Sequence, residues 1–339
     1  MQILVTGGTG YIGSHTVVEL MQAGHTVCIA DNLSNSKLEV LQGIEKITGE
    51  KPEFHQIDLA DKQKAEEFFE ENHQFDGIIH FAAYKAVGES VENPLKYYDN
   101  NLNSLINVLR AMKKYAIRNL VFSSSCTVYG QPDKLPVTEE SPIKKADSPY
   151  GHTKQISEGI IESTIHAENL LNATALRYFN PIGAHKSAEI GELPIGKPDN
   201  LVPFITQTAA GIREELLIFG NDYNTPDGTA IRDYIHVCDL AKAHVTTMER
   251  LLNSAYKKRF EIFNLGTGKG SSVKEMTDTF QNVTGQKLNY RYTDRRAGDI
   301  EKVWADTTRA NRELGWACEH SVADALKSAW EWEKRIRNI

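Results

Sequence analysis

Ile3-Leu4-Val5-Thr6-Gly7-Gly8-Thr9-Gly10-Tyr11-Ile12-Gly13 runs from apolar β-formers through a glycine-rich turn into a helical pattern. Glycines there allow a tight turn and close backbone approach, and the helix start presents N–H groups to a phosphate. The spacing of Gly7, Gly10 and Gly13 is G-x-x-G-x-x-G rather than G-x-G-x-x-G. Taken alone, the loop also reads as a plain βα turn. Outward from it, short β-rich runs at 27–30, 54–57, 77–80, 120–122 and 173–176 read as further buried strands. Helical patterns at 11–23, 65–72, 101–115 and 150–168 separate them. Strands alternating with helices of this length predict βαβ units and a parallel sheet covered on both faces. The expected fold is α/β: a Rossmann-like, doubly wound parallel sheet over 1–180, its glycine loop placed for a dinucleotide. A smaller C-terminal α/β lobe for the substrate is expected over 181–339, where proline and glycine punctuate the pattern, with a closing helix at 322–335.

Composition narrows the function. A net charge of −7 over 339 residues argues against a nucleic-acid partner, which calls for a basic face. Cys28, Cys126, Cys238 and Cys318 lie far apart without a C-x-x-C pair, which fits a reducing, cytoplasmic compartment. The 11 histidines form no H-x-x-x-H or H-E-x-x-H pattern, so no metal is expected. No apolar run reaches the length of a membrane span, and the N-terminus enters a strand directly, so no membrane partner or leader is expected.

Asp31 ends the second strand 18 positions after Gly13, where a carboxylate can accept both hydroxyls of an adenosine ribose. A carboxylate there repels a 2′-phosphate, so NAD is favoured over NADP. Asp58, after the third strand, is placed either to meet the adenine or to cap the next helix. Phe81-Ala82-Ala83 ends the fourth strand with small residues that leave room for a cofactor. Ser123-Ser124-Ser125 ends the fifth strand, as a turn or as a hydroxyl relay. In Tyr150-Gly151-His152-Thr153-Lys154 a phenol and an ammonium share one helix face. A neighbouring cation favours phenolate and would make Tyr150 a usable base. With 13 tyrosines, about one Tyr-x-x-x-Lys pair is expected by chance, so the argument rests on its joint occurrence with the glycine loop.

Beyond these, T-G-G-T-G-Y-I-G-S-H at 6–15, D-N-L-S-N-S at 31–36, F-A-A-Y-K-A-V-G-E-S at 81–90 and S-S-S-C-T-V-Y-G at 123–130 form a series. It continues with S-P-Y-G-H-T-K at 148–154, L-R-Y-F-N-P-I-G-A-H at 176–185, N-L-V-P at 200–203, I-F-G-N-D-Y at 218–223, I-R-D-Y-I-H-V at 231–237 and R-R-A-G-D at 295–299. The series resembles the UDP-glucose 4-epimerase family, in the extended short-chain dehydrogenase/reductase group, from Met1 to about Trp316.

The resemblance implies that Tyr150 is the catalytic base, that Lys154 lowers its pKa and holds the nicotinamide ribose, and that Ser125 assists proton transfer. It implies an NAD site lined by Gly7, Gly10, Tyr11, Ile12, Gly13, Asp31, Asn32, Leu33, Ser34, Asn35, Ser36, Asp58, Leu59, Phe81, Ala82, Ala83, Lys85, Asn100, Ser125, Tyr150, Lys154 and Phe179. UDP-sugar would be held by Ser125, Tyr150, Asn180, Asn200, Leu201, Leu217, Ile218, Phe219, Arg232, Arg296 and Asp299. Arginines suit a diphosphate, and Ile218-Phe219 offers apolar surface for a uracil. Without the family context, Arg232 reads as a surface ion pair with Asp233. The implied reaction interconverts UDP-galactose and UDP-glucose through a 4-keto sugar, with a hydride taken from C4 and returned to the opposite face. The resemblance also implies a homodimer built on the helices at 101–115 and 150–168.

Three rivals stay open at this level. A 4,6-dehydratase of the same group carries Thr-Asp-Glu where this chain has Ser125-Cys126-Thr127. A uronic-acid epimerase or decarboxylase would need a cation for the sugar carboxylate. A non-catalytic NAD-sensing module has no use for Tyr150 and Lys154 together. Val303 precedes Trp304-Ala305-Asp306, where relatives restricted to plain UDP-hexoses carry a tyrosine. A valine there leaves space for a 2-acetamido group, and with it UDP-GlcNAc and UDP-GalNAc as further substrates.

Overall fold

The computed structural model describes residues 1–296 and 300–339. The chain forms two compact units. The first comprises Met1–Gly130, Pro142–Arg177 and Ala241–Phe263, and the second Gln131–Ser141, Tyr178–Leu240 and Asn264–Ile339.

The chain begins with β1 (Gln2–Thr6), α1 (Tyr11–Gln22), β2 (Thr26–Asp31), α2 (Val40–Thr48), β3 (Glu53–Gln56), α3 (Lys62–Glu71) and β4 (Gly77–His80). After α4 (Val87–Glu92) come α5 (Pro94–Tyr115), β5 (Asn119–Ser125), α6 (Pro149–Ala167) and β6 (Asn172–Tyr178). Local chemistry sets several of these bounds. Pro94 and Pro149 occupy first-turn positions, where a missing N–H costs nothing. Asp61 caps α3 by accepting from the amides of Gln63 and Lys64. Gly49, at φ 81, ends α2 in the left-handed conformation that a Cβ disfavours.

Later elements are β7 (Asn180–Ile182), α7 (Leu201–Ala209), β8 (Leu216–Phe219), β9 (Ile231–His236), α8 (Val237–Leu252) and β10 (Phe260–Leu265). The chain closes with β11 (Gly270–Ser272), α9 (Val273–Thr284), β12 (Tyr290–Thr293), β13 (Lys302–Val303), α10 (Thr308–Glu313) and α11 (Val322–Arg337). Capping boxes start α9, at Ser272 with Glu275, and α11, at Ser321 with Asp324.

The first unit is built on a seven-stranded sheet of order β10-β6-β5-β4-β1-β2-β3. The β1–β2, β1–β4, β2–β3 and β4–β5 pairs are all parallel. Strands such as β1 are fully buried at Ile3, Leu4 and Val5 because helices cover both faces. The chain winds outward from β1 to β3 and then crosses back to β4, so β1 and β4 flank the point where strand order reverses. In open α/β sheets, ligands bind beyond the carboxyl ends of strands at such a point. The seventh strand, β10, comes from much later in the chain than the six strands legible before residue 180.

In the second unit β9 is central, flanked by β11 (antiparallel) and by β13 and β7 (both parallel), while β8 and β12 form a separate parallel pair. Its core gathers Ile182, Ile205, Leu216, Ile218, Met276, Phe280, Leu326 and Trp330. Phe280 is fully buried, with its ring edge-on to Trp330 at 5.9 Å. Replacing Phe280 with Ala should cost about 3–5 kcal/mol through lost burial and the cavity left behind, read as a lower midpoint in urea unfolding with little change in slope.

Candidate active site

The glycine loop closes tightly on the end of β4. Gly7 has φ +70, and a Cβ added to it would lie 2.8 Å from the backbone nitrogen of Ala82. A Cβ on Gly13 would overlap the carbonyl oxygen of Gly7. Only glycine fits either position, and both belong to the loop that opens α1. Gly10 is the N-cap of α1 and contributes no side chain, so the first turn keeps its amides facing outward. An uncapped helix start beside a Cβ-free turn fits a pyrophosphate. Tyr11 and Ile12 follow in the first turn, partly exposed.

Asp31 ends β2 and is 8% exposed. Its Oδ2 accepts from the Thr9 amide at 3.1 Å, and its Oδ1 from the Leu33 amide at 2.9 Å. The Ser36 hydroxyl reaches the same carboxylate and bonds Thr9 Oγ1 at 2.7 Å. The carboxylate is thus fixed against the glycine loop, with acceptor capacity remaining for a ribose diol. Asn32 turns its own loop by accepting from Ser34, while Ser34 and Asn35 are exposed.

Asp58 accepts from the Ala60 amide at 3.0 Å in a local turn, and the cap of α3 is Asp61. The capping alternative for Asp58 therefore falls away. Leu59 points its side chain into the first unit's core, so only its backbone is on offer, and its carbonyl already accepts from Asn107. Phe81, Ala82 and Ala83 are half-buried at the end of β4, and Lys85 is exposed.

Asn101 is a residue that sequence reasoning used only as a helix start. Its side chain accepts from the Tyr84 amide at 2.8 Å and donates to the Tyr84 carbonyl at 3.0 Å and to Thr153 at 3.2 Å. Asn100 donates to it at 2.9 Å. Asn101 thereby ties the loop after β4 to α6, a role no local motif announces.

Tyr150 and Lys154 lie one turn apart on α6, whose start Ser148 caps. The Lys154 ammonium donates to the Ser123 carbonyl at 2.6 Å and lies 5.9 Å from the Tyr150 ring centroid. Ser125, the last residue of β5, hydrogen-bonds the Tyr150 phenol and accepts from the Thr127 amide at 3.2 Å. The three residues expected to move the proton are therefore brought together.

The electrostatics differ from expectation. Burial pushes the Tyr150 phenol up to about 12, and the Ser125 hydrogen bond only partly offsets it. Burial pulls Lys154 down to about 7, against an opposing pull from Glu158. Lys154 spends its nearest contact on a carbonyl and holds its charge only partly at neutral pH, so it does not bring Tyr150 below the ordinary tyrosine value.

In the second unit, register gathers further candidates. Asn180 pairs with Tyr234, and Val303 pairs with Arg232, so β9 carries one candidate and aligns two more beside it. The Asp233 carboxylate, fully buried, accepts from the amides of Thr267, Gly268 and Ala305. Consecutive strand residues face opposite sides, so Asp233 is turned away from the surface pairing read for Arg232. Asn200 precedes α7 and donates to Glu192 at 2.6 Å, with Leu201 next in line. On β8, Leu217 and Phe219 are half-buried, whereas Ile218 is fully buried in the core and offers a ligand only its backbone. The Arg296 guanidinium stacks 4.1 Å over the Phe219 ring. Phe179 is 4% exposed, and its amide donates to Leu265 at 3.1 Å. Asp299 lies outside the described residues.

The fold also assembles two donor trios that sequence spacing hides: Cys28 with Glu53 and His55, and Asp239 with Glu319 and His320. In each, an internal hydrogen bond already joins the histidine to a carboxylate, at 2.8 Å and 2.7 Å respectively.

A glycine cradle, a buried carboxylate at the end of β2 and a Tyr–Lys pair beside a serine-ended strand fit a nicotinamide-dependent enzyme of the extended short-chain dehydrogenase/reductase class. The family model described as GDP-mannose 4,6 dehydratase matches residues 4–329. The chain is 49% identical to the UDP-glucose 4-epimerase of Bacillus subtilis (strain 168), over 98% of this chain and 97% of that protein. It matches the Stenotrophomonas maltophila UDP-glucose-4-epimerase, solved with bound NAD and formylated UDP-arabinopyranose, with a TM-score of 0.95 and 46% identity over 100% of this chain and 99% of that one. The Bifidobacterium longum UDP-glucose 4-epimerase, in complex with NAD+ and UDP, gives a TM-score of 0.95 and 43% identity at the same coverage. The chain belongs to the UDP-glucose 4-epimerase family.

The lowered Lys154 pKa makes a stability prediction. Folded protein binds this proton more weakly than unfolded chain, so between about 7 and the ordinary 10.5 the unfolded state holds more of it. Stability contributed by Lys154 should rise with pH through that window and be lost as pH falls through about 7. The melting temperature of the wild type minus that of Lys154→Met should accordingly increase from pH 7 to pH 10; a flat difference would show that the amine is not desolvated.

Proposed function

We propose that this chain is an NAD-dependent isomerase that interconverts UDP-galactose and UDP-glucose at the sugar C4. The observation that carries the reading is the Ser125–Tyr150 hydrogen bond with Lys154 one turn away, at the end of β5 and in the same unit as the glycine loop and Asp31. Family membership at 49% identity over nearly the whole chain supports the substrate class.

Gly7, Gly10 and Gly13 with the start of α1 would hold the pyrophosphate, Asp31 the adenosine ribose and Lys154 the nicotinamide ribose. Bound NAD supplies a hydride acceptor for C4 and a pyridinium charge. Tyr150 takes the 4-hydroxyl proton, relayed through Ser125, and gives it back when the 4-keto sugar is reduced from its other face. Burial disfavours the Tyr150 phenolate, and a positive charge placed beside the phenol would favour it. Asn180, Asn200, Leu201, Leu217, Phe219, Arg232 and Arg296, together with the Ile218 backbone, would anchor the uridine diphosphate. The division expected at 180, with NAD held by 1–180 and UDP-sugar by 181–339, is crossed by the compact units, since 131–141 and 178–180 fall in the second and 241–263 in the first.

The family model's description names a dehydratase, but elimination of water needs an added acid and base where this chain has Cys126 and Thr127. The epimerase reading is preferred on that ground. A place in galactose metabolism follows from the substrates. A cytoplasmic setting is supported by four free cysteines, and no described helix is long and apolar enough to cross a membrane. A homodimer through α5 and α6 is supported by partly exposed Leu102, Ile106, Ile156 and Ile160 on those helices and by Leu95, 79% exposed at the start of α5.

Tyr150→Phe should lower turnover of UDP-galactose by about 10²–10⁴-fold while NAD binding, followed by titration calorimetry, stays intact; loss of both would mark a structural role. Val303 is 4% exposed, and the reading that a valine at this position admits a 2-acetamido group predicts that UDP-GalNAc is converted as well as UDP-galactose. Val303→Tyr should abolish the first conversion and spare the second, as resolved by chromatography of the products; equal losses would remove Val303 from the specificity argument.

A further inference from the structure

Behind Tyr150 and Lys154, α6 carries a third polar residue on the same face, Glu158, which is 5% exposed. Its Oε1 accepts from the Ser124 hydroxyl at 2.5 Å and from Arg177 Nε at 2.9 Å, and its Oε2 from Arg177 Nη2 at 2.5 Å. Arg177 is 2% exposed, and its Nη1 donates to the Tyr129 hydroxyl at 3.0 Å with the guanidinium 4.8 Å over that ring. Ser124 and Tyr129 are fully buried. Neither Glu158 nor Arg177 is needed to hold NAD or sugar in the scheme above, yet they grip the segment that does the chemistry from both sides. Ser124 precedes Ser125, and Tyr129 closes the single turn of 3-10 helix, Cys126–Tyr129, that follows it. Lys154 bonds the carbonyl of Ser123, the next residue back.

A buried ion pair is a weak way to gain stability, because desolvation cancels most of its attraction and apolar replacements of similar volume are often as stable. What such a pair does supply is geometry: a bidentate guanidinium–carboxylate contact fixes both partners in direction as well as distance. We infer that Glu158 and Arg177 are positioning residues for proton transfer, holding the 123–129 segment so that Ser125 meets the Tyr150 phenol and the Ser123 carbonyl meets Lys154. The charge of Glu158 also opposes the desolvation of the Lys154 ammonium. This assignment rests on the epimerase reading, and wild-type turnover of UDP-galactose is the control that tests that reading separately.

Removing one partner alone leaves a bare buried charge and risks unfolding. The test therefore compares the wild type with Glu158→Leu/Arg177→Met, which removes both charges, and with Ser124→Ala, which leaves the ion pair intact and deletes one bond to it. Each NAD-loaded protein is assayed for melting temperature, KM for UDP-galactose and kcat. The expected double variant melts close to the wild type and keeps KM within about twofold, while kcat falls at least about tenfold because sub-ångström misplacement of reacting groups is costly. Ser124→Ala should lower kcat about threefold or more at unchanged KM and remains informative should the double variant fail to fold. A folded double variant, or a Ser124→Ala enzyme, with wild-type kcat overturns the assignment. An inactive wild type sinks the epimerase reading, and the positioning role with it.

Discussion

The close approach of Gly7 to the backbone of Ala82 is the constraint on which the first unit depends. β1 and β4 are hydrogen-bonded neighbours, so the loops leaving their carboxyl ends must pass within van der Waals contact. With a Cβ at Gly7 only 2.8 Å from the Ala82 nitrogen, the loop would have to lift or β4 would have to shift. Lifting the loop would move Thr9, whose amide bonds Asp31, and would turn the start of α1 away from the reversal point. One backbone contact thereby couples the phosphate cradle, the ribose carboxylate and the cofactor edge of β4. Asn101 extends the coupling, since it holds Tyr84, just after that edge, and Thr153 of α6 at once.

α6 then acts as a ruler. Tyr150, Lys154 and Glu158 recur every four residues, so one helix face meets consecutive residues of β5: Lys154 at Ser123, Glu158 at Ser124 and Tyr150 at Ser125. The match does not follow chain order, because Lys154 reaches past Ser124 to the carbonyl of Ser123 while Glu158 takes the Ser124 hydroxyl. Burial works against charge along this face, raising the phenol to about 12 and lowering the amine to about 7. Both shifts favour the neutral forms, so a positive charge beside the phenol is what would favour its ionisation.

Much of this was legible before any coordinates. Of the six strands from β1 to β6, five announced themselves as short apolar runs, since burial on both faces leaves no polar alternation to confuse them, whereas β3, at the sheet edge, is polar and partly exposed. The glycine spacing, Asp31, the serine triplet and Tyr150 with Lys154 are local patterns, and each found a place at the carboxyl edge of the sheet. Other features depend on contacts between distant residues. β10 completes the first sheet from residues 260–265, and nothing in its own sequence names its neighbour. α2 has no counterpart among the expected helices because Gly43 interrupts a short helical pattern, and α5 starts at Pro94, ahead of the helix expected from 101. The capping role read for Asp58 belongs to Asp61, three residues on, because β3 ends earlier than its apolar pattern does. The direction of the Tyr150 shift was also beyond reach: a helical spacing says that a lysine is near, not that its ammonium is already engaged with a carbonyl.

The division of labour between the residue sets bears on why this constellation suits epimerisation. Reversal of C4 requires that the oxidised sugar present its opposite face to the same hydride donor and the same tyrosine, so the hexose cannot be gripped as tightly as an ordinary substrate. Binding energy has to come from a part of the molecule that does not turn. The candidate uridine diphosphate set is of that kind, with the Arg296 guanidinium stacked on Phe219 and Arg232 on the central strand β9, beside Val303. Proton transfer, by contrast, demands fixed geometry on the protein side, since the substrate supplies none. Ser125, Tyr150 and Lys154 are accordingly bound into backbone and buried polar contacts from three consecutive strand positions. A loosely held ring tolerates rotation only where the groups that wait for it do not move.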